Sequence, residues 1–75
     1  PEDPLALDSV ARIGVRAEAA LFNAEDDLYA WVAREHAEMK VDCVFVDEAQ
    51  FLTRAQVWQL ARVADRLKIP VLCYG

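Results

Sequence analysis

Glycine is scarce in this sequence, and the scarcity is informative. Only two of the 75 residues are glycine, Gly14 and Gly75, and neither is followed by lysine. The phosphate-binding loop GxxxxGK[ST] is therefore not in the sequence. Cysteine is equally rare, and the wide separation of Cys43 and Cys73 suits neither a disulfide framework nor a zinc site. No apolar run approaches the roughly 18 residues of a membrane span, and the start lacks a signal-peptide layout, so we expect a cytoplasmic protein without membrane contact.

Basic residues are also few. Eight lysines and arginines stand against 13 aspartates and glutamates, for a formal net charge of −5. A protein that neutralises a nucleic-acid backbone would carry the opposite excess, so we expect no nucleic-acid partner. The abundant residues are hydrophobic, at 56%, which is typical of a folded domain. A chain this short buries only roughly 60% of its unfolded surface, so we expect a single domain of low stability.

The first element with a clear pattern is a helix over residues 24–39. Asn23 suits its N-cap, and three acids follow near the positive end of the helix dipole. Its apolar residues recur at helical spacing and are Leu28, Trp31, Val32 and Met39. Before this helix, residues 1–9 are expected to form a loop and residues 12–15 a short strand edge.

Residues 41–74 are predicted to form a β-α-β unit. The run 41–46 is short, apolar and partly β-branched, which is typical of a strand buried on both faces of a parallel sheet. Thr53 and Gln56 have capping-box spacing at the start of a helix over 53–68. The predicted apolar stripe of that helix is Val57, Leu60, Ala61, Ala64 and Leu67. The following proline ends the helix and begins a second strand, so the fold class is α/β with a parallel sheet.

Several other residues are interpreted as structural. Cys43 and Cys73 are expected to be buried free thiols in neighbouring strands. Trp31 and Trp58 are expected to be packing residues, although Trp58 lies on the flank of its stripe and can instead meet a further domain or subunit. His36, the only histidine, is expected to have a structural or solvent-facing role.

The predicted strand over 41–46 ends in two adjacent acids, Asp47 and Glu48. Ligands of open α/β sheets bind at this carboxyl edge. An apolar strand followed by Asp and Glu has the form of a Walker B segment, in which the Asp binds Mg²⁺ and the Glu takes a proton from a nucleophile. From the residues alone, two solvated acids at a helix-entry turn are an equally good interpretation.

Longer stretches of the sequence narrow the choice. ARIGVRAEAALFN and VDCVFVDEAQFLTRAQVWQLARVADRLKIPVLCYG resemble the middle of bacterial thymidine kinases of the type II family. The similarity covers residues 12–75. It implies a P-loop NTPase-like (RecA-like) fold in which residues 1–75 are a middle segment, with the P-loop upstream and a zinc-containing lasso downstream. An Asp-x-Arg-like element that the family leads us to expect before the first stretch is not found in residues 1–9.

The resemblance also implies an activity: transfer of the γ-phosphate of ATP to the 5′-hydroxyl of thymidine, by a homotetramer. Asp47 would hold Mg²⁺, directly or through water, and Glu48 would be the general base. The segment Asp47, Glu48, Ala49 and Gln50 would lie against the nucleotide phosphates, and Phe51 would pack near the thymidine. Without the resemblance, Phe51 would be interpreted as an ordinary core aromatic residue.

Two further classes of function stay open on the residues alone. One is a helicase-like ATPase, because the letters DEAQ also follow the Walker B strand in such proteins. The other is a non-catalytic α/β module with an acidic turn. Arg12 and Arg54 are interpreted as solvated surface residues without a catalytic role. Residues 1–75 by themselves are expected to be inactive as a kinase, because they lack the phosphate-binding loop.

Overall fold

The computed structural model describes residues 11–16 and 18–75, so the loop expected over residues 1–9 lies outside the described part. The elements in chain order are β1 (Ala11–Val15), β2 (Glu18–Phe22), α1 (Leu28–Glu38), β3 (Val44–Asp47), a 3₁₀ turn (Ala49–Phe51), α2 (Arg54–Arg66) and β4 (Val71–Cys73). Within the described residues, no helix is both long enough and apolar enough to span a bilayer.

The four strands form one mixed sheet in the order β2-β1-β3-β4. Strands β3 and β4 are parallel and are joined through α2, which confirms the predicted β-α-β unit. Strand β1 runs antiparallel to both β2 and β3. The α/β class and the one helix predicted before the β-α-β unit are therefore confirmed, whereas the expectation of a purely parallel sheet is wrong. The predicted strand at residues 12–15 lies in the interior of the sheet rather than at its edge.

Strand β2 is the element that the sequence pattern does not predict. Its residues, EAALF, include no β-branched side chain, and Ala and Glu are depleted in strands. The strand forms because β1 pairs with it along its whole length. Near the turn of this hairpin, Arg16 adopts φ 53° and donates to Glu35 Oε1 and to Met39 O, each at 2.8 Å. The hairpin is thereby tied to the end of α1.

Both helices pack on the same face of the sheet. The fully buried residues of the sheet on this side include Ile13, Val15, Val44 and Val46, each at most 1% exposed. They meet the helix residues Leu28, Val32, Leu60 and Val63 in one continuous core. Burial of each such side chain contributes about 1.5–3 kcal/mol. The prediction that the 41–46 strand is buried on both faces is wrong, because Phe45 on the opposite face is 39% exposed.

Helix α1 begins later than predicted. Its N-cap is Asp27, whose carboxylate accepts a hydrogen bond from Ala30 N at 3.1 Å, and not Asn23. Asn23 instead belongs to a local turn, in which its side chain accepts from Glu25 N and its own N–H donates to Asp26. Asx side chains compete with the helix for backbone donors in this way. The residues predicted as the first helical turn are therefore used in the turn.

Gln56 holds that turn against the start of α2. Thr53 and Gln56 form the predicted capping box, with bonds of 3.0 and 3.1 Å. The amide nitrogen of Gln56 donates to Asn23 O at 2.7 Å and to Asp26 O at 3.1 Å. Gln56 is 0% exposed. A single buried side chain therefore caps α2 and fixes the loop that leads into α1.

The buried stripe of α2 differs in phase from the prediction. The buried residues are Gln56, Leu60 and Val63, whereas Val57 is 52% exposed. Four of the five predicted stripe members, the buried Leu60 among them, line an apolar groove beside β4. The groove residues are Leu52, Val57, Leu60, Ala61, Ala64, Val71 and Cys73. Helix α2 therefore has two apolar faces, one toward the core and one toward the groove, and periodicity does not distinguish them.

The outcomes for the other structural residues are mixed. Both cysteines are free as predicted, but only Cys43 is partly buried, and Cys73 is exposed because β4 is an edge strand of the described sheet. Trp31 packs against the core as predicted. Trp58 is 68% exposed, so its predicted packing role is wrong within this chain. His36 has a structural role, because its Nδ1 accepts from Val41 N at 3.0 Å.

Candidate functional site

The side chain of Asp47 lies on the sheet face that no helix among residues 11–16 and 18–75 covers. In the β1–β3 register it is opposite Arg12, and Arg12 Nη1 lies 3.8 Å from Asp47 Oδ2. Both side chains are more than half exposed, so this ion pair contributes little stability. Asp47 Oδ1 accepts a hydrogen bond from Glu48 N at 3.1 Å. The arginine predicted to be a solvated surface residue is solvated, and it is also a neighbour of the candidate metal ligand.

Regular pairing of β3 with β4 ends in a bulge at Glu48. Tyr74 N donates to Val46 O at 2.8 Å, and Tyr74 O accepts from Ala49 N at 2.7 Å. A regular parallel ladder would use Glu48 N as the second donor, so one extra residue is inserted. Glu48 has φ 59° and ψ 47°, the left-handed region. This conformation costs a non-glycine residue roughly 1–2 kcal/mol, and such strain is often found at functional sites.

The bulge determines the environment of Glu48. Its carboxylate Oε1 accepts a hydrogen bond from Gln50 Nε2 at 2.7 Å, and the residue is half-buried. The N–H of Ala49 is already donated to Tyr74 O, so any contact of Ala49 with a nucleotide would use other atoms. Consecutive acids thus have different surroundings, with Asp47 beside an arginine and Glu48 beside an amide.

Phe51 ends the 3₁₀ turn and is 45% exposed. An ordinary core aromatic residue would be buried, so the interpretation made without the family resemblance does not hold. The N–H of Phe51 donates to Glu48 O at 3.0 Å, which connects the aromatic residue to the bulge. The ring is therefore accessible to a ligand and is carried by the same short turn as Glu48.

An open cavity of about 300 Å³ extends across the uncovered face of the sheet, and its lining residues are Arg12, Gly14, Glu18, Ala19, Phe45, Asp47 and Tyr74. Asp47 belongs to this lining and Glu48 does not. A Cβ on Gly14 would lie 3.1 Å from Glu18 O and 3.1 Å from the ring of Phe45, so glycine permits that ring to lie on β1. The sequence pattern does not reveal this cavity, because its members meet only through the antiparallel pairing of β1 with β3.

The residues at the site fit a magnesium ion better than a fully protein-ligated metal. In the described part of the chain, no group of three or more His, Cys, Asp or Glu could hold a metal ion. Mg²⁺ commonly takes one or two carboxylates and completes its shell with water and substrate phosphates. The carboxylate of Asp47 is exposed and has oxygen lone pairs to spare, so it suits that role.

Comparison with known proteins decides the family. A family model described as thymidine kinase matches residues 6–75. The chain belongs to the thymidine kinase family. A thymidine kinase of Mesorhizobium japonicum is 63% identical over 65 residues, which are 87% of this chain and 32% of that protein. The thymidine kinases of Novosphingobium aromaticivorans and Photobacterium profundum are 58% and 52% identical, each over 87% of this chain and 34% of their own length.

These matches cover only one part of the length of each relative. The chain spans about a third of the curated thymidine kinases that it matches. No solved structure gives a significant match. The resemblance that the sequence showed at DEAQF and IPVLCYG is thus confirmed as membership of the thymidine kinase family, and the activity of the whole protein is a matter for proposal.

Proposed function

We propose that residues 1–75 are the Walker B segment of an ATP-dependent thymidine kinase. The observation that carries the proposal is the placement of Asp47 and Glu48 at the carboxyl end of β3 of the β-α-β unit, with Asp47 as its last residue, in a chain of the thymidine kinase family. The carboxyl end of a parallel strand is the usual ligand edge of an α/β sheet. The proposed reaction converts thymidine and ATP into thymidine 5′-monophosphate and ADP.

Glu48 is the general base in this proposal. The 5′-hydroxyl oxygen of the nucleoside forms a bond to the γ-phosphorus while the bond from that phosphorus to the β–γ bridging oxygen breaks. The hydroxyl proton passes to the Glu48 carboxylate, and ADP leaves. Glu48 is half-buried and its backbone lies in the bulge, so the point from which its side chain extends is fixed relative to the strand end.

Asp47 is the residue proposed to hold Mg²⁺, directly or through water. When bound, this ion neutralises developing charge on the transferred phosphoryl group. Asp47 itself supplies the carboxylate oxygens, and Arg12 lies beside them at 3.8 Å. The remaining phosphate contacts would come from a P-loop outside residues 1–75, as in a RecA-like fold, and the family's structural zinc would also be held elsewhere in the chain.

The residues that follow the two acids are proposed to contact the substrates. Ala49 and Gln50 lie in the 3₁₀ turn, and their backbone is proposed to lie against the nucleotide phosphates, which leaves the Gln50 side chain free for another role. The exposed ring of Phe51 is proposed to pack near the thymidine. A homotetrameric assembly is likewise proposed from the family resemblance. The helicase-like ATPase and the non-catalytic module have no structural observation in their favour.

Replacement of Glu48 tests the proposal. In the full-length protein, Glu48→Gln should lower kcat by about 10²–10⁴-fold, because the variant keeps the size of the side chain but cannot accept the proton. The assay is steady-state release of ADP in the presence of thymidine and Mg-ATP. Glu38→Gln is the matched control, since Glu38 is exposed at the end of α1 and should not affect kcat.

Three results would contradict the proposal. Thymidine-independent ADP release would favour the helicase-like ATPase, in which Glu48 activates water. No ADP release under any of these conditions would favour the non-catalytic module. Unchanged kcat in Glu48→Gln, with thymidine phosphorylation intact, would show that Glu48 is not the general base.

A further inference from the structure

The hydrogen bond between Gln50 and Glu48 carries an inference beyond the contact with nucleotide expected of Gln50. We propose that Gln50 is a positioning residue that fixes the carboxylate of Glu48, and that Gly75 holds the amide of Gln50 in place. The inference rests on the proposed role of Glu48 as the base. Its basis is the 2.7 Å bond from Gln50 Nε2 to Glu48 Oε1 and the close approach of Gly75 to the other end of the same amide.

The backbone of the bulge restricts only the Cα–Cβ bond of Glu48 and not the rest of its side chain. The left-handed conformation and the bond from Ala49 N to Tyr74 O determine the direction of its Cα–Cβ bond. The backbone leaves rotation about that bond and the two further side-chain torsions free in a residue that is only half-buried. Ordering such a side chain costs up to about 2 kcal/mol of rotamer freedom. A general base therefore needs a partner at its carboxylate, and Gln50 is in position to be that partner.

Gly75 restricts the amide of Gln50 from the other side. A Cβ on Gly75 would lie 3.0 Å from Gln50 Oε1 and 3.9 Å from Gln50 N. The amide thus lies between the backbone of Gly75 and the carboxylate of Glu48. Tyr74 brings this backbone to the bulge, because it bonds to Val46 and Ala49 on either side of the two acids. Pairing of β4 with β3 is in this way coupled to the orientation of the base.

A neutral amide suits the positioning of a base. It donates to one carboxylate oxygen and leaves the second oxygen of Glu48 free to accept a proton. Misplacement of a catalytic group by about 1 Å can cost on the order of 10²-fold in rate. The expected consequence of losing Gln50 is therefore a loss of kcat rather than a loss of substrate affinity.

The first test removes the amide without changing its size. In the full-length protein, Gln50→Met should lower kcat by about 10–10²-fold with the KM values for ATP and thymidine unchanged. Gln59→Met is the matched control, because Gln59 accepts a hydrogen bond from Leu28 N at 2.8 Å, away from Glu48. That variant should lower the melting temperature and leave kcat unchanged. Gly75→Ala should lower kcat less than Gln50→Met, because only the mobile amide end has to move.

The second test asks whether Gln50 acts through Glu48. In a Glu48→Gln background, neither Gln50→Met nor Gly75→Ala should reduce kcat further, because residues that act as one unit are not additive. The affinity for ATP, measured by isothermal titration calorimetry, should be the same with and without Gln50→Met. A weaker affinity for ATP, or a full additional loss of kcat in that background, would overturn the inference. It would indicate that the side chain of Gln50 contacts the nucleotide and not Glu48.

The two proposals can fail separately. If Glu48→Gln lowers kcat and Gln50→Met does not, the positioning role of Gln50 is wrong, but the proposal that Glu48 is the general base still holds. If Glu48→Gln leaves kcat unchanged, both proposals are wrong. If the melting temperature shows that Gln50→Met folds poorly, the kcat of Gly75→Ala is used as the test instead. An unchanged kcat in Gly75→Ala would then reject the positioning role.

Discussion

At the scale of single residues, Gln56 has more structural contacts than its sequence pattern predicts. The capping-box spacing accounts for its two bonds with Thr53. Its amide nitrogen also satisfies two carbonyls of the loop before α1, those of Asn23 and Asp26. A buried side chain that serves two elements at once is costly to replace, since each buried polar group left without a partner costs about 1–3 kcal/mol.

Replacement of Gln56 by leucine should therefore destabilise the protein strongly. Gln56→Leu keeps the volume of the side chain but leaves Asn23 O, Asp26 O and Thr53 N without their partner. We expect a loss of about 2–5 kcal/mol, measured as the shift of the urea unfolding transition. Gln59→Leu is the control, since it removes a single bond to Leu28 N and should cost less. Equal losses in the two variants would show that the loop carbonyls are not satisfied by Gln56.

At the scale of elements, the bulge after β3 combines strain with the proposed chemistry. Glu48 occupies the left-handed region, and neighbouring bonds from Tyr74 hold it there. Glycine would adopt this backbone without a steric penalty, but it would lack the carboxylate. A strained glutamate at this position is consistent with a trade of stability for function.

Comparison of two variants of Glu48 isolates that strain. Glu48→Gly and Glu48→Ala both remove the carboxylate, and only alanine keeps a Cβ in the left-handed region. The glycine variant should be more stable than the alanine variant by about 0.5–1 kcal/mol, after its larger entropy loss on folding is subtracted. Urea unfolding of both proteins measures the difference. An alanine variant as stable as the glycine variant would show that the bulge is absent in solution.

At the scale of the whole molecule, the two helices leave one face of the sheet uncovered. Phe45, Leu72 and Tyr74 are 39%, 47% and 55% exposed there or at its edge. The groove beside β4 adds a second apolar surface on the helix side. Exposed apolar area of this kind is a source of association in a chain of this size.

Residues 1–75 expressed alone should therefore bind a hydrophobic dye and self-associate. We expect 8-anilinonaphthalene-1-sulfonate fluorescence that exceeds, per molecule, that of the full-length protein, and a sedimentation coefficient that rises with concentration. Leu72→Ser should reduce both effects, because Leu72 is exposed on the edge strand β4. Equal dye binding by the two lengths of protein would mean that the face stays uncovered in the full-length chain.

Features that depend on a few neighbouring residues could be predicted from the sequence. The capping box of α2, the order β-α-β over β3, α2 and β4, and the position of two adjacent acids at the end of a strand all follow from local preferences. The family resemblance was also readable, because DEAQF and IPVLCYG are distinctive runs. Each of these features is set by backbone donors, proline geometry or hydrophobic spacing within one element.

The surfaces that pack against one another could not be predicted in this way, because they depend on the folded arrangement of whole elements. The alanine-rich strand β2 exists because β1 pairs with it, and the start of α1 at Leu28 depends on the loop that Gln56 holds. The approach of Arg12 to Asp47 follows from antiparallel register. The proximity of Gly75 to the Gln50 amide follows from the pairing of β4 with β3. Apart from the β1–β2 hairpin, these contacts join residues far apart in the chain. Their free energy is gained only when whole elements pack, so local sequence patterns do not predict them.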